Sequence, residues 1–150
     1  MIGTLTQHLN LISNHNDGQT LKKVLESVAD AISTTSLMSA GLVIKAGASA
    51  LVKTGASPWY GLASGVLIKK AAATDMAALS GTVVNATFNV YAFYVDKAGT
   101  LTSQMGTAGA TLAAVIHPPR PLGKTLIGWT EINPTGTGNF VGGTTAIDDA

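Results

Sequence analysis

The residues Gly123-Lys124-Thr125 end the stretch HPPRPLGKT and precede an apolar run, as in loops that bind nucleotide phosphates. Such a loop needs glycine at both ends of its spacing, so that successive backbone N–H groups point at the phosphates, and a helix behind it. Here the first glycine position holds Pro118, which has no N–H to donate. Residues 125–132 are rich in β-branched and aromatic types, which predict a strand. The sequence therefore favours a proline-stiffened turn leading into a strand over a phosphate site.

Other residues that support catalysis or metal binding do not group into a pattern. The chain has three histidines, His8, His15 and His117. Their spacing from one another and from carboxylates is not that of metal ligands. Gly136-x-Gly138 lacks the following helix that a dinucleotide site needs. The chain contains no cysteine, which removes thiolate metal sites, cysteine nucleophiles and disulfides together. We therefore expect a non-enzymatic protein without catalytic, cofactor-binding or metal-binding residues.

The amino-acid composition limits the kinds of molecule that the protein is expected to bind. Charged residues make up 11% of the 150-residue chain and hydrophobic residues 46%, whereas soluble domains carry about 25% charged residues. So few charges indicate that protein covers part of the surface, most simply further copies of the chain. The net charge is +1 without an aromatic-basic patch, so nucleic acid is not expected as a partner.

A membrane partner is not expected either. The mean hydropathy is +0.33, but the longest uncharged stretch, residues 98–119, is interrupted by glycine, threonine, serine and glutamine and does not predict a spanning helix. The N-terminus lacks the basic start and sustained apolar core of a secretory signal. We expect synthesis in the cytoplasm without export.

The elements that position these residues fall into two regions. Residues 1–36 contain an apolar arm and an amphipathic helix, for which Asn16-Asp17 can supply the cap. The apolar residues of the helix recur at helical spacing and are Leu21, Val24, Leu25, Val28 and Ile32. Lys22, Lys23, Glu26 and Asp30 fall largely on the other face. Such a helix needs a partner surface.

Residues 37–150 read as strands and turns. The clearest strand alternates over 84–94, and a turn at 96–99 leads to a return strand at 100–105. Further strands are predicted at 42–45, 50–53, 66–69, 111–116, 125–132 and 140–141. This spacing favours a mainly β fold, an antiparallel β-sandwich or jelly-roll-like domain with an N-terminal arm and amphipathic helix.

The second half of the chain carries three distinctive motifs: the strand around NATFNV, the hairpin VDKAGTLTS and the loop NPTGTGNFVGGTT. With their surroundings, Ser80 to Gly106 and Pro118 to Asp149, they resemble a module of structural proteins of tailed-phage virions, of the capsid decoration (cement) or head-fibre kind. The resemblance does not extend to the N-terminal arm and helix. It implies a virion protein that is made in the bacterial cytoplasm and stands on the capsid surface as a symmetric oligomer, often a homotrimer.

The resemblance also implies the partners, which are the major capsid protein and further copies of the chain. The N-terminal region would then attach to the shell or tie subunits together, through Ile2, Leu5, Leu9, Leu21, Val24, Val28 and Ile32. The alternative is a fibre or receptor-binding module that recognises a host surface glycan or protein. In that case Trp59, Tyr60 and Trp129 would form the ligand platform.

Overall fold

The structure is a computed structural model that describes residues 15–136 and 138–149. Within them, helix α1 (His15–Ser33) precedes ten strands. The strands are β1 (Thr35–Ser36), β2 (Val43–Ile44), β3 (Val52–Lys53), β4 (Trp59–Ala63), β5 (Val66–Lys70), β6 (Thr82–Val83), β7 (Asn89–Val95), β8 (Leu101–Met105), β9 (Thr125–Ile132) and β10 (Phe140–Val141). Short 3-10 helices lie at Leu112–Ala114 and Ile147–Asp149.

The strands pair antiparallel in four small sheets around one core. Two sheets have three strands, in the orders β8-β7-β9 and β1-β4-β5, and the pairs β2-β3 and β6-β10 complete the set. All four sheets contribute buried side chains to the same core, of which the largest are Trp59, Tyr91, Phe93 and Phe140. The predicted fold class is confirmed, because the described chain is mainly β with a sandwich-like arrangement.

Strand β7 is the centre of the core, and all seven of its residues are buried. Tyr91, Phe93 and Val95 belong to the main core. The segment 106–120 covers the opposite face, where the Tyr94 hydroxyl donates to the Pro118 carbonyl at 3.2 Å. Burial on both faces therefore begins at the first residue of β7, earlier than the sequence alternation predicts.

Two predicted strands are wrong in whole or in part. Residues 84–88 do not extend β7, because the backbone N–H and hydroxyl of Thr87 both donate to the Val84 carbonyl, at 3.1 and 2.6 Å, and close a turn. Residues 111–116 do not form a strand either. There the Ala114 N–H donates to the Thr111 carbonyl at 3.0 Å and closes a 3-10 turn, so this part of the chain is not extended. Ile116, at the end of the stretch, forms an isolated bridge to Thr107.

The N-terminal boundaries also differ in detail from those predicted. Helix α1 begins at His15, so Asn16-Asp17 lie in its first turn rather than before it. Thr35 and Ser36, which the sequence-based division assigned to the arm and helix, pair with Leu62 and Gly61 of β4 and so belong to the β region.

Replacement of Ala86 by Gly is expected to raise the free energy of unfolding by about 0.5–1 kcal/mol. Ala86 has a φ of 60°, a left-handed conformation that glycine adopts at less cost. Its N–H bond to the Pro134 carbonyl, at 2.8 Å, does not involve the side chain. Urea unfolding measures the change, with exposed Ala110→Gly as the control that is expected to be neutral or slightly destabilising. A loss of stability in Ala86→Gly would contradict the prediction.

Candidate functional site

Helix α1 is held against the β domain through Asp30, near its C-terminal end. The Asp30 carboxylate accepts hydrogen bonds from the Gly123 N–H at 2.7 Å and from the Thr34 hydroxyl at 3.0 Å. It also pairs with the Arg120 guanidinium, which donates in addition to the Lys124 carbonyl at 3.1 Å. Asp30 is only 8% exposed. We call Asp30, Thr34, Arg120 and Gly123 the latch.

The latch keeps its carboxylate ionised. Burial by itself would raise the pKa of Asp30, but the Gly123 N–H, the Thr34 hydroxyl and the Arg120 guanidinium together hold that pKa below its ordinary value. Removal of any one donor would leave a buried charge less well satisfied. The latch is therefore a charged anchor rather than a packed apolar contact.

The latch also accounts for the Gly123-Lys124-Thr125 motif. Gly123 has a φ of 73°, and the Lys124 N–H donates to the Pro121 carbonyl at 3.2 Å, which closes a turn. Thr125 is the first residue of β9. The turn-and-strand interpretation is confirmed, and the Gly123 N–H that a phosphate loop would offer to its ligand donates to Asp30 instead.

The apolar side chains of α1 face away from the β domain. At 3.6 residues per turn, Val28 and Asp30 lie about 200° apart around the helix. Ile32 is 76% exposed and Leu25 is 57% exposed, and Val24 and Val28 are about half exposed. An amphipathic helix ordinarily buries its apolar side against its own domain. Here α1 meets the β domain through Asp30, whereas Lys22 and Glu26 on the polar side are exposed. The apolar face consists of Leu21, Val24, Leu25, Val28 and Ile32, of which Leu21 is partly buried and the other four are exposed.

A second candidate surface is an open groove between residues 36–42 and β9, with a volume of about 540 Å³. Trp129 lines it and is 49% exposed. The His117 ring meets the indole of Trp129 edge to face, with centroids 5.6 Å apart. Leu42 occupies the space above Gly128, where an added Cβ would lie 2.7 Å from its Cδ1. The groove therefore presents one aromatic ring beside largely aliphatic and backbone walls.

The three aromatic residues suggested as a ligand platform do not come together. Trp59 is fully buried in the core, and its indole N–H donates to the Ser36 hydroxyl at 3.0 Å. Tyr60 follows it on β4 and so points to the opposite face, where the Lys69 ammonium lies 5.8 Å from its ring centroid. Of the three, Trp129 is the one that lines the groove. The structure therefore does not bring the three residues onto one surface, because Trp59 and Tyr60 are successive residues of β4 and lie on opposite faces of it.

The predicted interface residues divide into two groups. Ile2, Leu5 and Leu9 lie outside the described residues. Leu21, Val24, Val28 and Ile32 lie together on the apolar face of α1, and Leu25 joins them. Whether these residues contact a capsid or another subunit stays a prediction.

The latch is the part of this site that sequence reasoning missed. Asp30 reads as an ordinary solvent-facing acid on the polar side of a helix, and Arg120 lies 90 residues away. One feature of the sequence points to a special role for Arg120: it is the chain's single arginine beside eight lysines, and it lies in a proline-rich segment. Arginine differs from lysine in its planar set of donors, which suits a buried carboxylate.

Two other acidic residues have local roles. Asp75 pairs with Lys45 at 2.6 Å, and Asp96 accepts the N–H groups of Ala98 and Thr100 at 2.9 Å in the β7–β8 turn. Over residues 15–136 and 138–149, histidine and acidic side chains do not assemble in threes around a metal position. Across that same part of the chain, no helix has the length and apolar character needed to cross a bilayer.

Comparison with protein-family models, with curated proteins and with solved structures gave no match to the chain. Function is therefore inferred from the two surfaces described above, the apolar face of α1 and the Trp129 groove.

Proposed function

We propose that the chain is a non-enzymatic structural protein of a phage virion, which binds the assembled capsid as a symmetric oligomer and stabilises or decorates it. The observation that carries this proposal is the outward apolar face of α1, on which Val24, Leu25, Val28 and Ile32 are half exposed or more. Covering the exposed half of such side chains stabilises an assembly by about 1 kcal/mol each. A contiguous apolar face of this kind is typical of a surface that meets another protein.

The resemblance of Ser80 to Gly106 and of Pro118 to Asp149 to virion modules supports the choice of partners. They are the major capsid protein and further copies of the chain, as a homotrimer on the capsid surface. Symmetry lets a contact of modest strength act several times at once, because a capsid repeats the same binding site. The latch supports such an arrangement, since it holds α1 in one orientation relative to the β domain that would project from the shell.

A second function, that of a fibre or receptor-binding module, is favoured by the Trp129 groove. An exposed indole beside a histidine ring offers a flat apolar surface with a polar edge, which is typical of sites that recognise sugars or peptides. The binding surface would then be the groove, and the apolar face of α1 would serve assembly alone.

Capsid co-sedimentation tests the proposed function and separates it from the alternative. The purified protein is expected to bind capsids that lack it at a fixed stoichiometry and to raise their thermal resistance. Leu25→Glu is expected to weaken capsid binding at least tenfold, because a charge enters the apolar face. Trp129→Ala is expected to change it by less than about twofold. Intact capsid binding in Leu25→Glu, together with loss of host adsorption in Trp129→Ala, would support the receptor-binding function instead.

A further inference from the structure

The apolar face of α1 contains a heptad repeat. Leu21, Leu25, Val28 and Ile32 are separated by four, three and four residues, which is the spacing of positions d, a, d and a. We call these four residues the seam. Because a 3.5-residue period keeps such a stripe along one side of a helix, identical helices can pack against one another over its whole length.

The latch lies at the position that a coiled coil leaves free. In this register Asp30 occupies position f, which is the farthest from the seam. Contacts of Asp30 with Arg120 and Gly123 are therefore compatible with packing of the seam against other helices. The β domains would lie around the outside of the bundle, each held by its own latch.

The residues beside the seam favour parallel helices. Position g of the first heptad holds Asp17 and position e holds Lys22, five residues later. In a parallel, in-register coiled coil, position g of one helix faces position e of the next at this separation, so the pair brings opposite charges together. The later g and e positions hold Val24, Ala29 and Ala31, which carry no charge. Val24 widens the apolar face beyond a strict two-stranded seam, which suits a bundle of three.

A second copy in register covers all four seam residues, including Ile32, which is the most exposed apolar residue of α1 at 76%.

We infer that the seam binds the seams of further copies of this chain in a parallel, in-register coiled coil, most simply of three helices. This names the partner of the apolar face on which the proposed function rests. Capsid attachment would then use a surface other than the seam, and loss of the seam would weaken capsid binding through loss of avidity.

Single cysteines test the register, since the chain has none of its own. Under oxidation Leu21→Cys, at position d, is expected to form covalent dimers, with about two thirds of the chains linked if the bundle has three. Lys23→Cys, at the outward position f, is the matched control and is expected to stay monomeric on a non-reducing gel. Cross-linking of Leu21→Cys to Ile32→Cys in mixtures, without Leu21→Cys homodimers, would overturn the parallel arrangement. Absence of any cross-link would overturn the coiled coil.

Mass in solution gives a second and independent test. Light scattering of the full chain is expected to give the mass of a trimer, and that of the Val28→Glu variant the mass of a monomer. The near-ultraviolet circular dichroism of the variant, to which the buried Trp59 contributes, is expected to be unchanged. Ser27→Glu, the neighbouring residue at position c, is expected to keep the trimer mass. A monomeric full chain, or a Val28→Glu variant that keeps its mass, would overturn the inference.

Capsid co-sedimentation of the same proteins keeps this inference distinguishable from the proposed function. A trimer with the expected cross-link that does not bind capsids would support the coiled coil and overturn the proposed function. A monomer that binds capsids would overturn the coiled coil and the symmetric oligomer, and would support only the capsid-binding part of the proposed function.

Discussion

Replacement of Asp30 by Asn is expected to detach α1 from the β domain at a cost of about 2–4 kcal/mol of docking free energy. The neutral amide leaves the Arg120 guanidinium without its counter-charge, and it weakens the acceptor of the Gly123 N–H, now 2.7 Å away. Hydrogen exchange is the measurement, because it resolves local from global opening. Amides of α1 are expected to lose protection while those of β7 keep it.

Glu26→Gln is the matched control for Asp30→Asn. Glu26 lies one turn earlier on the same helix, its side chain is 51% exposed, and it is 3.9 Å from Lys22. Such an exposed ion pair contributes little to stability, so the free energy of opening of α1, measured by hydrogen exchange, is expected to change by less than about 0.5 kcal/mol. Equal protection of α1 in Asp30→Asn and Glu26→Gln would show that the latch does not hold the helix.

The latch also gives α1 a pH dependence of defined sign. The pKa of Asp30 in the folded chain lies below its ordinary value, which is about 3.9 in an unfolded chain. The stabilisation from Asp30 is therefore complete above about pH 4 and is lost as the pH falls through the folded pKa. Acid is expected to release α1 in the natural chain, whereas Asp30→Asn is expected to remove this dependence.

Gly61→Ala is expected to destabilise the β domain by about 2–4 kcal/mol. The new Cβ would lie 2.3 Å from Cη2 of Trp59 and 3.1 Å from the Thr35 carbonyl oxygen. The fully buried indole cannot move aside without losing its hydrogen bond to Ser36, which is 3.0 Å long. Urea unfolding followed by tryptophan fluorescence measures the loss.

Two further variants test the cause assigned to Gly61→Ala. Gly136→Ala serves as the control, because no described atom lies within 4 Å of its added Cβ, and it is expected to change stability by less than about 0.5 kcal/mol. Trp59→Leu is destabilising by itself, but combined with Gly61→Ala it is expected to cost less than the sum of the two. Strict additivity would mean that the indole is not what the new methyl group meets.

Local sequence patterns are sufficient for some of the strands. Residues 125–132 form β9 with the predicted bounds, and the β7–β8 hairpin follows from alternation ending in Asp96-Lys97-Ala98-Gly99. Strand β4 is different, because its inward residues after Trp59 are Gly61 and Ala63, which are too small to mark a buried face. The burial of Trp59 over Gly61 depends on a tertiary contact, so the local sequence pattern does not predict β4.

The same distinction applies to the candidate site. The helix and its apolar face follow from the spacing of Leu21, Val24, Leu25, Val28 and Ile32, because helical periodicity is local. The direction in which that face points does not follow from the spacing. That direction depends on the Asp30–Arg120 pair, whose members are 90 residues apart in the sequence. Without knowledge of this pair, the usual expectation is that the apolar face of a helix packs against its own domain.

The 90-residue separation of Asp30 and Arg120 also sets an order of events during synthesis. At about 5–20 residues per second, Asp30 leaves the ribosome roughly 5–20 s before Arg120 leaves it. In that interval the helix has no docking partner, and nascent chains on one messenger hold their helices close together. For a chain that assembles through α1, subunits are therefore expected to associate on the polysome, before their β domains are complete.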